Sequence, residues 1–298
     1  MAIYAFISGY ALERLSSGKI KKELSLEYDY KLVARQACKF IRRYWIAFVF
    51  VITFRIVFSK ETFSIGQIAK GFIAKTPAEI EGGWWYVSFY LSVLLAFPLL
   101  NTIFHQCKDK KENAKNQIVT IVLSGVIFIW IMLFMNRQLV YITIFLIAYF
   151  ISAYKVYEKV YEKLSEWPKV LQILFNIVVF VLCVGIRVAV SNSIDYTMID
   201  VLIIAPFIYS GSSIVANITL LRQILSFFGK YSVYIWLTHN AVQRYYFDIF
   251  TYASRSSIVM YFSQLCAVTV IAIALSLIEA IIEKVCINIK ERCLKLYE

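Results

Sequence analysis

The stretch FFGKYSVYIWLTHNAVQRYYFD, residues Phe227–Asp248, decides how the rest of the chain is read. At about 1.5 Å of rise per residue it is long enough to cross a bilayer. Yet it carries His239 at its middle, one of only two histidines in the protein. On a helix, Ser232, Trp236, His239 and Gln243 share one face, with Asn240 and Arg244 flanking it. A polar stripe at bilayer depth costs free energy in lipid, so it should turn toward other helices or a wet cavity. The remaining chain reads as the bundle that encloses it.

Composition supports that reading. The chain has 298 residues, 60% of them hydrophobic and 17% aromatic, with a mean hydropathy of +0.69. Ordinary soluble domains are roughly 45–50% apolar. The expected fold is all-α: a polytopic transmembrane helix bundle of about eight full spans plus a short N-terminal one, forming a single domain over 1–298. Apolar runs place the spans near 1–12, 44–58, 84–104, 118–135, 139–154, 168–190, 198–217, 227–247 and 257–283.

The net charge of +12 would suggest a nucleic-acid partner in a soluble protein. Here the basic residues sit between apolar runs. Of the 31 lysines and arginines, 23 fall in alternate loops on one side and five on the other, with Arg55, Arg187 and Arg244 inside spans. This asymmetry makes the basic side cytosolic, including the C-terminus, and removes nucleic acid from the expected partners. The bilayer itself is the expected partner, and the cell (inner) membrane the expected location. Six cysteines form no CxxC pair, and no His/Cys/Asp/Glu cluster has metal-ligand spacing, so neither a zinc site nor a disulfide framework is expected.

Several residues could carry chemistry. His239 can act as a general base toward a hydroxyl, or it can be a buried histidine bonded to a neighbouring helix. His105 reads as a solvated interfacial residue. Lys31, Arg35, Lys39 and Arg42 follow i, i+4, i+8, i+11 spacing, with Arg43 adjacent. Such a cationic edge suits anionic headgroups or the phosphates of a nucleotide-containing cofactor. Arg55, Arg187 and Arg244 lie at similar depth to Asp195, Asp200 and Asp248; they snorkel, or they line an outer polar cleft. Trp84 and Trp85 read as an aromatic-belt anchor, or as part of the site. Glu279 and Glu283 are expected to meet headgroup water. Lys155–Trp167 carries a KVYE duplication and is expected to form a surface helix. G-x-S-x-G, Walker and Rossmann patterns are absent in any credible context.

An ordered set of segments resembles the acyltransferase-3 family of membrane enzymes. Phe6-Ile7-Ser8-Gly9-Tyr10 is similar to its F-x-x-S-G-Y segment. Lys39-Phe40-Ile41-Arg42, followed by Arg43 and Tyr44, is similar to its R-x-x-R, and Trp84-Trp85-Tyr86 to its W-[FY]. Phe228-Gly229-Lys230-Tyr231-Ser232 through Tyr234, Leu237 and His239 is similar to its late G-K-x-S segment. The resemblance implies O-acylation of a cell-surface polysaccharide or glycan precursor, with cytosolic acetyl-CoA (acyl-CoA) as donor and no metal. It implies His239 in the transfer pore and Lys39, Arg42 and Arg43 near the donor. Trp85, Ser232, Trp236, Asn240, Gln243 and Arg244 become the candidate acceptor-binding residues. The family's first span carries an arginine and a histidine that no residue here matches. The expectation is therefore a late-annotated start or a truncated copy without that base. A flippase or polymerase, and a non-catalytic scaffold, are the competing classes; neither should behave as an acetyl-CoA-dependent transferase.

Overall fold

The computed structural model describes residues 1–17, 26–108, 122, 125–129, 139–191, 196–243 and 256–295. Among them there is no strand, and the elements are α1 (Ala2–Ser17), α2 (Leu26–Phe58), α3 (Ile65–Phe72), α4 (Trp85–Lys108), α5 (Leu139–Ala153), α6 (Val156–Ser165), α7 (Lys169–Ala189), α8 (Tyr196–Asn217), α9 (Thr219–Ala241) and α10 (Ser257–Lys295), with 3-10 turns at Pro77–Glu79 and Gly82–Trp84. Four helical segments are long and apolar enough to cross a membrane: Gly82–Thr102, Lys169–Ala189, Met198–Asn217 and Ser257–Asn288. The α5–α6 pair makes a fifth if its 58° bend is counted within one span. That bend falls at Lys155, whose left-handed φ of 52° breaks the helix.

The other expected spans meet this standard less well for visible reasons. α1 has 16 residues and reaches only about 24 Å. α2 spends its first half on charged sequence, and α9 carries the polar residues noted above. Most of the 118–135 run lies outside the described residues. The basic stretch 13–43, expected as a loop, is helical on both sides, since α1 continues to Ser17 and α2 begins at Leu26. The tail beyond Lys284 is likewise helical as far as Lys295.

By internal packing the chain divides into two compact units: Met1–Arg35 with Phe89–Arg222, and Gln36–Ser88 with Gln223–Glu298. In the first, α1 packs on α5 so closely that a Cβ on Gly9 would overlap the Phe145 carbonyl oxygen. Helices α7 and α8 pack through a stacked Phe180–Phe207 pair, 4.9 Å between centroids, and an Arg187–Asp200 ion pair at 2.6 Å. The expected surface helix is present as α6. It is tied down by an Arg14–Glu158 ion pair and by the Tyr157 hydroxyl, which donates to the Ala205 carbonyl at 2.8 Å. This unit also buries polar side chains. Ser16 and Asn101 both donate to the Asp29 carboxylate, at 2.8 and 2.6 Å, and Tyr149 donates to Asn101 at 2.8 Å.

In the second unit the loop after α2 is folded against it. A Ser64–Gln67 capping box starts α3. Tyr44 then donates to the Gly71 carbonyl at 2.6 Å and Trp45 to that of Phe72 at 2.9 Å, with the Trp45 and Phe72 rings stacked. Arg55 bonds Glu61 and the Ile80 carbonyl. These contacts fix the approach to Gly83, Trp84 and Trp85.

Candidate functional site

The residues with chemical potential in the second unit gather around α9. Its most buried face is Tyr234, Leu237, Thr238 and Ala241, at i, i+3, i+4 and i+7. The polar stripe runs along the opposite side, which is not the face turned into the core. Trp236 is nonetheless buried, its ring edge-on to Tyr86 at 5.6 Å. Ser232 and His239 are half-buried, and Gln243, in the π-helical turn that continues α9, is exposed.

His239 has a defined tautomer. Its Nδ1 lies 2.6 Å from the Trp236 carbonyl oxygen. A carbonyl can only accept, so Nδ1 carries the proton in the neutral ring and Nε2 carries the lone pair. Among the described residues Nε2 has no hydrogen-bond partner, which leaves it the one ring atom able to take a proton.

The loop before α4 closes one side of this region. Trp84 is 1% exposed and its Nε1 donates to the Leu237 carbonyl at 2.8 Å. Its ring meets Tyr44 edge-on at 5.4 Å. An aromatic-belt role for Trp84 is therefore replaced by a core role; Trp85 is half-buried beside it. Gly83 sits against the Asn240 amide, where a Cβ would meet only the end of that side chain, so the loop lies directly beside α9. Trp85, Trp236, Asn240 and His239 thus belong to one neighbourhood. Ser232 lies two turns earlier on α9 and bonds the Gly229 carbonyl instead. Arg244, Asp195 and Asp248 lie outside the described residues, as does the side chain of His105.

The basic edge is organised by a residue that sequence reasoning placed in headgroup water. Glu279 of α10 is only 5% exposed. It accepts from Arg42 Nε and Nη2 at 3.3 and 3.1 Å, from Arg43 Nε at 3.1 and 3.0 Å, and from the Tyr234 hydroxyl at 3.2 Å. Arg42 Nη2 also reaches Glu283 at 2.5 Å. Partial desolvation pulls the Arg42 pKa down, but the bonds and charges of Glu279 and Glu283 outweigh it and raise it above the ordinary value. One carboxylate therefore holds two arginines of α2 and a tyrosine of α9. Tyr234 precedes His239 by five residues, about 8 Å along the helix axis.

This arrangement leaves donors over. Arg42 keeps Nη1, and Arg43 keeps both Nη groups, without partners among the described residues; Lys39 is exposed one turn earlier. The five charges of Lys39, Arg42, Arg43, Glu279 and Glu283 sum to +1, so the cluster is pre-oriented rather than strongly cationic. Beside Arg42 an apolar groove of about 600 Å³ runs between α2 and α10, walled by Trp45, Val49, Phe54, Leu275 and Ile282. Among the described residues no group of His, Cys, Asp and Glu could hold a metal ion.

A helical protein with four segments long and apolar enough to cross a membrane fits the class of polytopic membrane proteins. More narrowly, the family model for the acyltransferase domain matches residues 1–279, and the chain belongs to the acyltransferase-3 family. Membership makes it, in general terms, a membrane acyltransferase. No curated protein and no solved structure matches the chain.

Proposed function

We propose that the protein transfers an acetyl group from acetyl-CoA to a hydroxyl of a cell-surface polysaccharide or its precursor. His239 Nε2 accepts the hydroxyl proton as the oxygen attacks the thioester carbonyl. The new C–O bond forms, the C–S bond breaks, and the thiolate leaves to be protonated from solvent. The free Nη groups of Arg42 and Arg43, steadied by Glu279, and Lys39 receive the donor's phosphates. A longer acyl chain would have room in the groove beside Arg42. Trp85, Trp236 and Asn240 flank the acceptor, with Ser232, Gln243 and Arg244 as further contacts.

The proposal includes one functional domain with about eight full spans and a short first one, in the inner membrane with the C-terminus cytosolic. The 23-to-5 distribution of lysine and arginine supports that orientation. The observation that carries the chemical reading is the Nδ1–H bond of His239 to Trp236, because it leaves a lone pair on the other nitrogen.

The test combines calorimetric titration of the purified chain with acetyl-CoA and an acetyl-transfer assay on membranes. Binding is expected, and His239→Ala should retain it while losing transfer by about 10²–10⁴-fold, the usual contribution of a general base. Full transfer by the variant would remove His239 from the mechanism. Absence of acetyl-CoA binding to folded protein would favour a flippase or a scaffold.

A further inference from the structure

A second site lies in the first unit, at the ends of two candidate spans. Where α6 ends, α7 begins and α8 finishes, a cavity of about 820 Å³ opens. Its size falls within the usual range of about 300–1,000 Å³ for small-molecule pockets. None of its lining residues belongs to the α9 site.

The lining has a distinct chemical character. Tyr161, Trp167 and Tyr209 supply aromatic surface, and the remaining polar groups are neutral except Lys169. Several hydrogen-bond donors there are already used. Asn176 Nδ2 donates to the Gln172 carbonyl, Gln172 Nε2 to that of Trp167, and Asn217 Nδ2 to that of Ser213, each at 2.8 Å. The Ser165 and Ser212 hydroxyls donate to the carbonyls of Glu162 and Tyr209. What remains is a mixed set: donors such as the Tyr161, Tyr209 and Ser213 hydroxyls and the Trp167 indole, together with amide and hydroxyl acceptors. One of the acceptors, Asn176 Oδ1, is buried with no partner among the described residues, on a residue that is 5% exposed. Leaving such an acceptor unsatisfied destabilises the fold.

We infer that this pocket binds a neutral polyol, a ligand with several O–H donors and an apolar C–H face. A hydroxyl both donates and accepts, which suits a neutral lining of both kinds, and the aromatic rings match the apolar face. A phosphate would find a single lysine to balance its charge, and an organic cation would be repelled by that lysine. The polyol can be free in solution or be the headgroup of a lipid, since the cavity sits at the ends of apolar helices. This inference does not depend on the acyl-transfer reading.

The experiment uses the full chain in phosphatidylcholine nanodiscs, with methyl β-glucoside as probe and saturation-transfer-difference NMR as readout. Transfer to the sugar ring protons is expected at millimolar probe. Asn176→Leu, which keeps the side-chain volume and removes the orphan acceptor, should weaken binding about tenfold, and Trp167→Leu comparably, for a loss near 1.4 kcal/mol. Because Asn176→Leu removes a buried unsatisfied atom, it should melt no lower than the parent, so lost binding would not reflect lost folding. Monoglucosyl-diacylglycerol added to the nanodiscs should compete if the natural source is a lipid; unchanged binding with an intact probe signal assigns a soluble polyol. No transfer in the parent, transfer unaffected by both substitutions, or displacement by inorganic phosphate would each overturn the inference.

Discussion

Glu279 and Asp29 are buried to the same depth, each 5% exposed, and are kept there by opposite means. Glu279 is surrounded by the guanidiniums of Arg42 and Arg43 and one tyrosine hydroxyl. Among the described residues the hydrogen-bond partners of Asp29 are neutral: the Ser16 hydroxyl and the Asn101 amide, the latter oriented by Tyr149. Charge compensation tolerates some slack, because attraction falls off slowly with distance. A network of neutral donors does not; each bond needs its own angle and length. The first arrangement leaves spare donors where a substrate could bind. The second uses its groups up within the helix packing, and so reads as structural.

The largest test of this contrast is Glu279→Gln. It should cost on the order of 3 kcal/mol, the low end for breaking a buried pair, because the two arginine side chains remain 32% and 25% exposed. Thermal melting in detergent measures it, and an unchanged midpoint would show that the hub contributes little to holding α2 on α10.

Gly9→Ala comes next. Its Cβ would overlap a backbone carbonyl that no rotamer change can move aside, so α1 must shift on α5, at about 1–3 kcal/mol. Since α1 carries Ser16 and α5 carries Tyr149, the same melt should also report the geometry-sensitive network. The smallest effect is expected from Asp29→Asn, below about 1 kcal/mol, because an amide keeps the shape and can re-pair with the hydroxyl and amide around it. If it cost as much as Glu279→Gln, the distinction between the two burials would fail.

How much of this could be read beforehand depends on whether the signal was local. The helical class and the late apolar runs 168–190, 198–217 and 257–283 match helices of the structure to within a few residues where they begin, because long apolar runs are a one-dimensional property. The surface helix after residue 155 was legible from its Glu/Lys spacing. The break at Lys155 was not, since a single left-handed residue leaves no periodic trace. His239 stood out through its rarity. Its tautomer did not, because it depends on a hydrogen bond three residues back whose length only coordinates give. Trp84 could not be distinguished from an interface anchor, as the sequence does not say that its indole meets the Leu237 carbonyl.

What the sequence determined by itself is the solvent: apolar runs of membrane-crossing length, separated by an alternating distribution of lysine and arginine, follow from composition along the chain. What the tertiary structure decided is who partners whom. Glu279 meets Arg42 and Arg43 across 237 and 236 residues. Helical periodicity correlates residues only a few turns apart, so a pairing at that separation arises when helices dock and desolvate the carboxylate. The same docking turned the least noticed acid in the chain into the residue that holds its arginines in place.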